Sequence, residues 1–392
     1  MEAIEFVDPW YFSTVYFFFF LFITWSTVLY YMGSNTQKIL KAPDQPFQMS
    51  AFILTLAVTY FLGLRPFTPE FGDTRAYANF YAYLNEYYPW SLHTEWLWYN
   101  IQMFCKSLGM NAHEFFLFAE LVYLGGMYVC SAILMRKNIW IAMIFFFTAF
   151  QTYTYGTNGI RNGFACSIEL VALSLVSGTK PQRYFSFFLM YLALSIHRST
   201  MIPTTAALMT LYWVKDTKMA LRFWLLSIGI SLVAGPMVEQ FFVALGFDDR
   251  MQSYHMGQFN EDNTQYFSST GFRWDFLLYS SAPVAMIWYV TKFRRFSDPE
   301  YTAIANAYLL SNAFWIMVIR AAFSNRFAYL SWFIYPVVIA YPLLRMNIWK
   351  DQDRKTNIIL FFYSAFTFFM FFVYYFGTTG FRGFDLYWWK GL

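Results

Sequence analysis

Residues 11–31 read YFSTVYFFFFLFITWSTVLYY, twenty-one positions without one charged side chain. A helix rises about 1.5 Å per residue, so such a run reaches across the roughly 30 Å hydrocarbon core of a bilayer. The same texture returns at 115–135 (FFLFAELVYLGGMYVCSAILM), 140–150 (WIAMIFFFTAF) and 358–376 (IILFFYSAFTFFMFFVYYF). Of the 392 residues 58% are hydrophobic and 13% charged, where a soluble domain carries about 25% charged residues. These runs dictate an all-α, polytopic integral membrane protein. No stretch between them is long enough for a soluble catalytic domain.

Spanning segments are expected near 11–31, 50–66, 114–134, 139–155, 160–177, 184–197, 199–214, 222–245, 273–292, 301–320, 326–345 and 355–376, about 11–12 helices in a single transmembrane domain over 1–392. The pair within 184–214 reads either as two short crossings or as one broken or re-entrant helix. The opening MEAIEFVDPW has three acids and no basic residue, so no cleavable signal peptide is expected. The three cysteines have no metal-ligand spacing and read as packing residues.

Charge gives the orientation. Basic clusters at Lys38/Lys41, Arg136/Lys137, Lys180/Arg183, Lys215/Lys218/Arg222, Lys292/Arg294/Arg295 and Arg345/Lys350/Arg354/Lys355 fall on one side if 184–214 crosses twice. By the positive-inside rule that side is the cytoplasm, with both termini outside. These clusters use sixteen of the 27 Lys and Arg, and nine of the eleven others are Arg. Topology alone has no reason to exclude Lys. Arginine is preferred where a planar fork binds phosphate or carboxylate. All four histidines fall on the same outer side, so the chemistry is expected there.

Two outer loops are long. In 67–113, Tyr77, Phe80/Tyr81, Leu84 and Tyr87/Tyr88 repeat at helical spacing, the pattern of an aromatic amphipathic helix lying in the interface. The polar stretch 246–272 reads as a lid over an outward cavity or as a tether.

Ionisable residues at membrane depth are functional candidates, weighed against internal ion pairs and snorkelling ends. Arg161 opens a segment among Gly156, Gly159 and Gly163, which permit close approach, and Glu169 is one helical-face partner for it. Arg320 and Arg326 bracket an outer turn, and Arg273 with Asp275 opens another segment. Asp73 stands where it would cap the interfacial helix or act as a general base, and Glu95 has the same two readings. His197-Arg198-Ser199-Thr200 interrupts an apolar run just before Pro203, and a broken helix at depth needs protein or a water-filled cavity beside it. Neither a phosphate-cradling glycine loop nor a convincing metal-ligand set is present, so any transferase donor is expected to be lipid-borne rather than a cytoplasmic nucleotide.

The ordered motifs FGDTRAYANFY, HTEWLWYNIQMFCKSLG, GIRNGFACSIELVALSL, IHRSTMIP, GFRWDFLL and NRFAYLSWFIYPVVIAYPLL resemble the EpsG/Wzy-type bacterial polysaccharide polymerases over residues 65–345. That resemblance implies a glycosyltransferase of GT-C-like architecture in the cytoplasmic (inner) membrane, its active site facing the periplasm or exterior. It implies polyprenyl-pyrophosphate-linked oligosaccharides as donor and acceptor, used in O-antigen, capsule or exopolysaccharide synthesis. The acceptor's sugar hydroxyl would attack the donor's first sugar with inversion, without cofactor or metal. A flippase and a chain-length regulator are implied as partners, and nucleic acid is not. Asp73 or His197 would be the base. Arg161, Arg273, Arg320, Arg326 and Arg198 would bind the leaving pyrophosphate, with Arg75, Tyr77 and Glu95 contacting substrate. Two rivals remain: a ligase or O-acyltransferase on the same glycan, and a lipid-linked oligosaccharide flippase, against which the lack of an internal repeat counts.

Overall fold

The computed structural model describes residues 7–32, 46–84, 95–244, 272–320 and 324–370. Every regular element among the described residues is helical. Loop 246–272 except Phe272, and the 85–94 part of loop 67–113, lie outside the described residues, and with them His93, His255 and the Tyr87/Tyr88 pair. Packing divides the chain into two compact units, one of Met1–Val171, Tyr191–His197 and Ala340–Leu392, the other of Ala172–Met190 and Arg198–Ile339.

The first unit contains α1 (Phe12–Met32), α2 (Pro46–Gly63), α3 (Thr74–Tyr83), α4 (Trp96–Ser107), α5 (Ala112–Met135), α6 (Ile139–Phe147), α7 (Phe150–Thr157) and the start of α8 (Ile160–Leu175). Chain order then gives α9 (Lys180–Ile196), α10 (Met201–Tyr212), α11 (Thr217–Ala244), α12 (Trp274–Trp288), α13 (Pro299–Met317), α14 (Ser324–Trp332), α15 (Tyr335–Arg345) and α16 (Gln352–Phe369). Within the first unit α2 lies along α5, both meet α6, and α1 packs on α16. Helix α5 begins in a full capping box: the Asn111 side chain accepts the Glu114 N–H at 3.0 Å, and the Glu114 carboxylate accepts the Asn111 N–H at 2.9 Å.

In the second unit α13 is the axis, with α10, α11 and α14 against it and nearly every side chain buried. Its start is set by Pro299 at the first position and by the Asp298 carboxylate on the Tyr301 N–H. A polar knot ties its neighbours together. Asn312 donates to Ser280 and Ser331 and accepts from Trp224, and the Trp332 indole donates to Ser280 at 2.7 Å. Lipid tails are as apolar as leucine, so bonds of this kind and tight packing, rather than hydrophobic burial, hold such helices together.

Four helices are long and apolar enough to cross a membrane by length and composition: Pro9–Met32, Ala112–Met135, Thr217–Val238 and Arg326–Arg345. Several other expected spans are met by shorter helices, for visible reasons. The 139–155 segment breaks into α6 and α7 at Thr148, whose hydroxyl donates back to Ile144 O at 2.6 Å. The 184–214 run breaks at His197, between α9 and a short 3-10 turn that leads into α10. Helix α11 kinks at Ala234, two residues before Pro236.

Candidate functional site

Three ionisable side chains that the sequence spreads over a hundred positions meet in the first unit. Glu95 stands at the N-terminal boundary of α4, Arg161 in the first turn of α8, and His197 directly after α9. Glu95 Oε2 accepts from Arg161 Nη1 at 2.5 Å, and Glu95 Oε1 lies 2.6 Å from His197 Nδ1. The side chains are 21%, 18% and 13% exposed respectively, so the cluster is recessed and still reachable.

A carboxylate only accepts, so the imidazole places its Nδ1 proton toward Glu95. In the neutral ring Nε2 is then the accepting nitrogen. Arg161 offsets the charge of the same carboxylate. The backbone points to a purpose as well. Glu95 sits at φ +60°, a left-handed conformation that costs a non-glycine residue about 1–3 kcal/mol and concentrates at functional sites. Its side chain makes no capping bond to α4. The Arg161 Nε–H is buried with no hydrogen-bond partner among the described residues, a donor left for something else to satisfy.

A second set of bonds, built on a wholly buried ion pair, holds the turn ahead of Arg161. Arg65 and Glu120 are 0% and 1% exposed and meet at 3.3 Å. Arg65 also donates to Thr74 Oγ1 at 3.2 Å, and the Thr74 hydroxyl donates to Thr157 O. One residue on, Asn158 Oδ1 accepts the Asp73 N–H at 2.8 Å. The start of α3 is thereby bound to the α7–α8 turn, three residues ahead of Arg161. Gly156 serves this packing: a Cβ there would lie 3.0 Å from Leu62 and 3.3 Å from Glu120. Glycines read as room for a ligand or backbone thus include one that admits protein side chains.

Asp73 is exposed and makes no side-chain cap on α3, which corrects the capping expectation; its N–H, not its carboxylate, is the group fixed by Asn158. Arg75 is exposed and Tyr77 half-buried on α3. The partner of Arg161 is Glu95 rather than Glu169, which is fully buried further along α8. In the second unit Arg273 grips Asp275 through two bonds of 3.0 and 2.7 Å and lies 3.7 Å over the Phe276 ring. Arg320 approaches Phe272, the residue before Arg273, with its guanidinium 5.8 Å from the ring centre, and its Nε–H is buried with no hydrogen-bond partner among the described residues. Arg273 and Arg320 therefore share one short strip. Arg326 is half-buried in α14, and Arg198 is exposed in the turn before α10. Among the described residues no cluster of three or more His, Cys, Asp or Glu is placed to hold a metal ion.

Sequence reading missed Arg65, Glu120 and Asn158 as parts of this arrangement. A carboxylate inside FFLFAELVYL was the available signal for Glu120. Comparison with known proteins agrees with the motif order. The model of the EpsG family matches residues 48–382, and the chain belongs to that family, the Wzy-type polysaccharide polymerases and EpsG-like glycosyltransferases. No curated protein and no solved structure matches it. Family and apolar helices together make this a membrane protein with a polysaccharide polymerase-like role.

Proposed function

We propose that this EpsG-family chain joins polyprenyl-pyrophosphate-linked oligosaccharide repeats at the outer face of the bacterial cytoplasmic membrane. The observation that carries the reading is the Glu95 carboxylate shared by His197 and Arg161. A histidine oriented by a carboxylate is a general base, and a guanidinium beside it meets negative charge.

In this reading His197 Nε2 takes the proton of the acceptor's sugar hydroxyl. The hydroxyl oxygen attacks the first sugar of the donor chain, and the bond from that carbon to the lipid pyrophosphate breaks on the opposite side. One displacement inverts the carbon. Arg161 supplies positive charge as the pyrophosphate departs, and Arg198, Arg273, Arg320 and Arg326 keep, from the sequence resemblance, the proposed role of pyrophosphate binders. Between the two sequence candidates for the base, His197 is preferred over Asp73, because the Asp73 carboxylate is exposed and His197 has a carboxylate to orient it. Arg75 and Tyr77 on α3 are proposed to contact sugar. The helices too short to span alone are proposed to complete the 11–12 crossings of a GT-C-like arrangement.

The test is a reconstituted protein given lipid-linked repeats and nothing else. Products lengthened by whole repeats, with lipid pyrophosphate released, support the reading. Lipid-linked sugar that is moved across the bilayer but never lengthened would replace it with the flippase.

A further inference from the structure

A basic concavity lies in the second unit, lined by none of Glu95, Arg161 and His197. A cavity of about 540 Å³ is lined by the start of α9, the α10–α11 turn, the end of α12 and the first turn of α13. Four cations from these segments face it: Arg183, Lys215, Lys292 and Arg295. A single acid, Asp216, joins them and lies 3.7 Å from Lys292. The volume is within the range of small-molecule pockets, about 300–1,000 Å³.

Topology explains why basic residues sit in these loops, since all four belong to clusters the sequence assigns to the cytoplasmic side. It does not explain why they converge on one concavity. Four cations around one acid repel each other, and an anion relieves the repulsion. The backbone is distorted at the same place. Helix α12 ends in a single π-helical turn, Tyr289–Phe293, which carries Lys292. Arg295, two residues beyond that turn, sits at φ +56°. π-turns and left-handed non-glycine residues both gather at binding sites, and here they shape the segment that delivers two of the four charges. Hydroxyls of Ser177, Ser297 and Thr302 add hydrogen-bonding capacity to the wall.

We infer that this cavity binds a phosphate ester or diphosphate group carrying at least two negative charges. The group belongs either to a soluble phosphorylated molecule or to the headgroup of an anionic phospholipid. The inference does not depend on the polymerase reading, because no residue of this cavity takes part in it.

The test uses the full chain in nanodiscs. In phosphatidylcholine discs, inorganic pyrophosphate is titrated calorimetrically into wild type, Lys292→Gln/Arg295→Gln and Arg161→Gln. A binding component that survives Arg161→Gln and weakens by about ten-fold or more in the double variant supports a soluble ligand. Asp216→Asn, which removes the lone acid, should tighten it. In discs of mixed phosphatidylglycerol and phosphatidylcholine, a loss of retained phosphatidylglycerol in the double variant, without pyrophosphate binding, supports the headgroup. If the double variant does not purify as a folded monodisperse protein, Lys215→Gln takes its place. Equal pyrophosphate binding and equal lipid retention in wild type and variant would overturn the inference.

Discussion

Glu95 and His197 are 102 positions apart in the chain and 2.6 Å apart in space, Oε1 against Nδ1. The same carboxylate holds Arg161, so one side chain orients both an imidazole and a guanidinium.

A base must be unprotonated to work. With wild type, the rate of chain extension should fall on the acid side as His197 takes up a proton, since imidazolium has no lone pair to offer. In His197→Asn that acid limb should vanish, with the remaining rate about 10²-fold lower or more and nearly flat. An unchanged limb in the variant would assign the titration to another group and return Asp73 to consideration.

Arg161→Gln removes the cation while keeping a polar side chain of similar reach. Its loss should lower kcat by about 10²–10³-fold, with a smaller effect on KM, because the charge it meets grows toward the transition state. Arg161→Lys should recover only part of the rate, as one ammonium does not reproduce the fork. A pure rise in KM would reduce Arg161 to ground-state binding.

The Arg65–Glu120 pair is a stability device for the turn ahead of Arg161. Removing one partner leaves a buried charge, so Arg65→Met or Glu120→Met alone should cost about 3–5 kcal/mol. The double replacement should cost clearly less than the two singles together, read as thermal unfolding in detergent. Additive losses would show that the two groups act apart.

Gly72 sits at φ +58°, and a Cβ there would lie 2.5 Å from Asn158 Oδ1, the acceptor of the Asp73 N–H. Gly72→Ala should therefore strain the backbone and push Asn158 away, at about 1–3 kcal/mol. Partial recovery is expected in Gly72→Ala/Asn158→Ala, where the clash is gone and the strain remains. Melting temperatures of wild type and the two variants check this.

How far the sequence led can be followed residue by residue. Periods of apolar residues located the helices, since α1, α5 and α11 need only their own side chains to be recognised. Glu95, Arg161 and His197 were each visible as charges in expensive places. Their meeting was not, because no helical spacing links positions on three different elements. Spacing alone paired Arg161 with Glu169, eight residues along the same helix, and missed Glu95. The left-handed backbone at Glu95 has no signature in a glutamate followed by tryptophan. Glu120 was hidden differently: one acid within an apolar run is legible as unusual, but its partner Arg65 lies beyond the end of another helix.

The most direct measurement is the initial rate of repeat addition by Glu95→Gln with defined lipid-linked repeats. Glutamine keeps the shape and a hydrogen-bond acceptor for His197 but not the charge that holds Arg161 and favours the Nδ1–H tautomer. A rate lower by about 10²-fold, with the protein folded and lipid-linked substrate still bound, is the predicted result. A Glu95→Gln protein that extends chains at the wild-type rate would contradict the account.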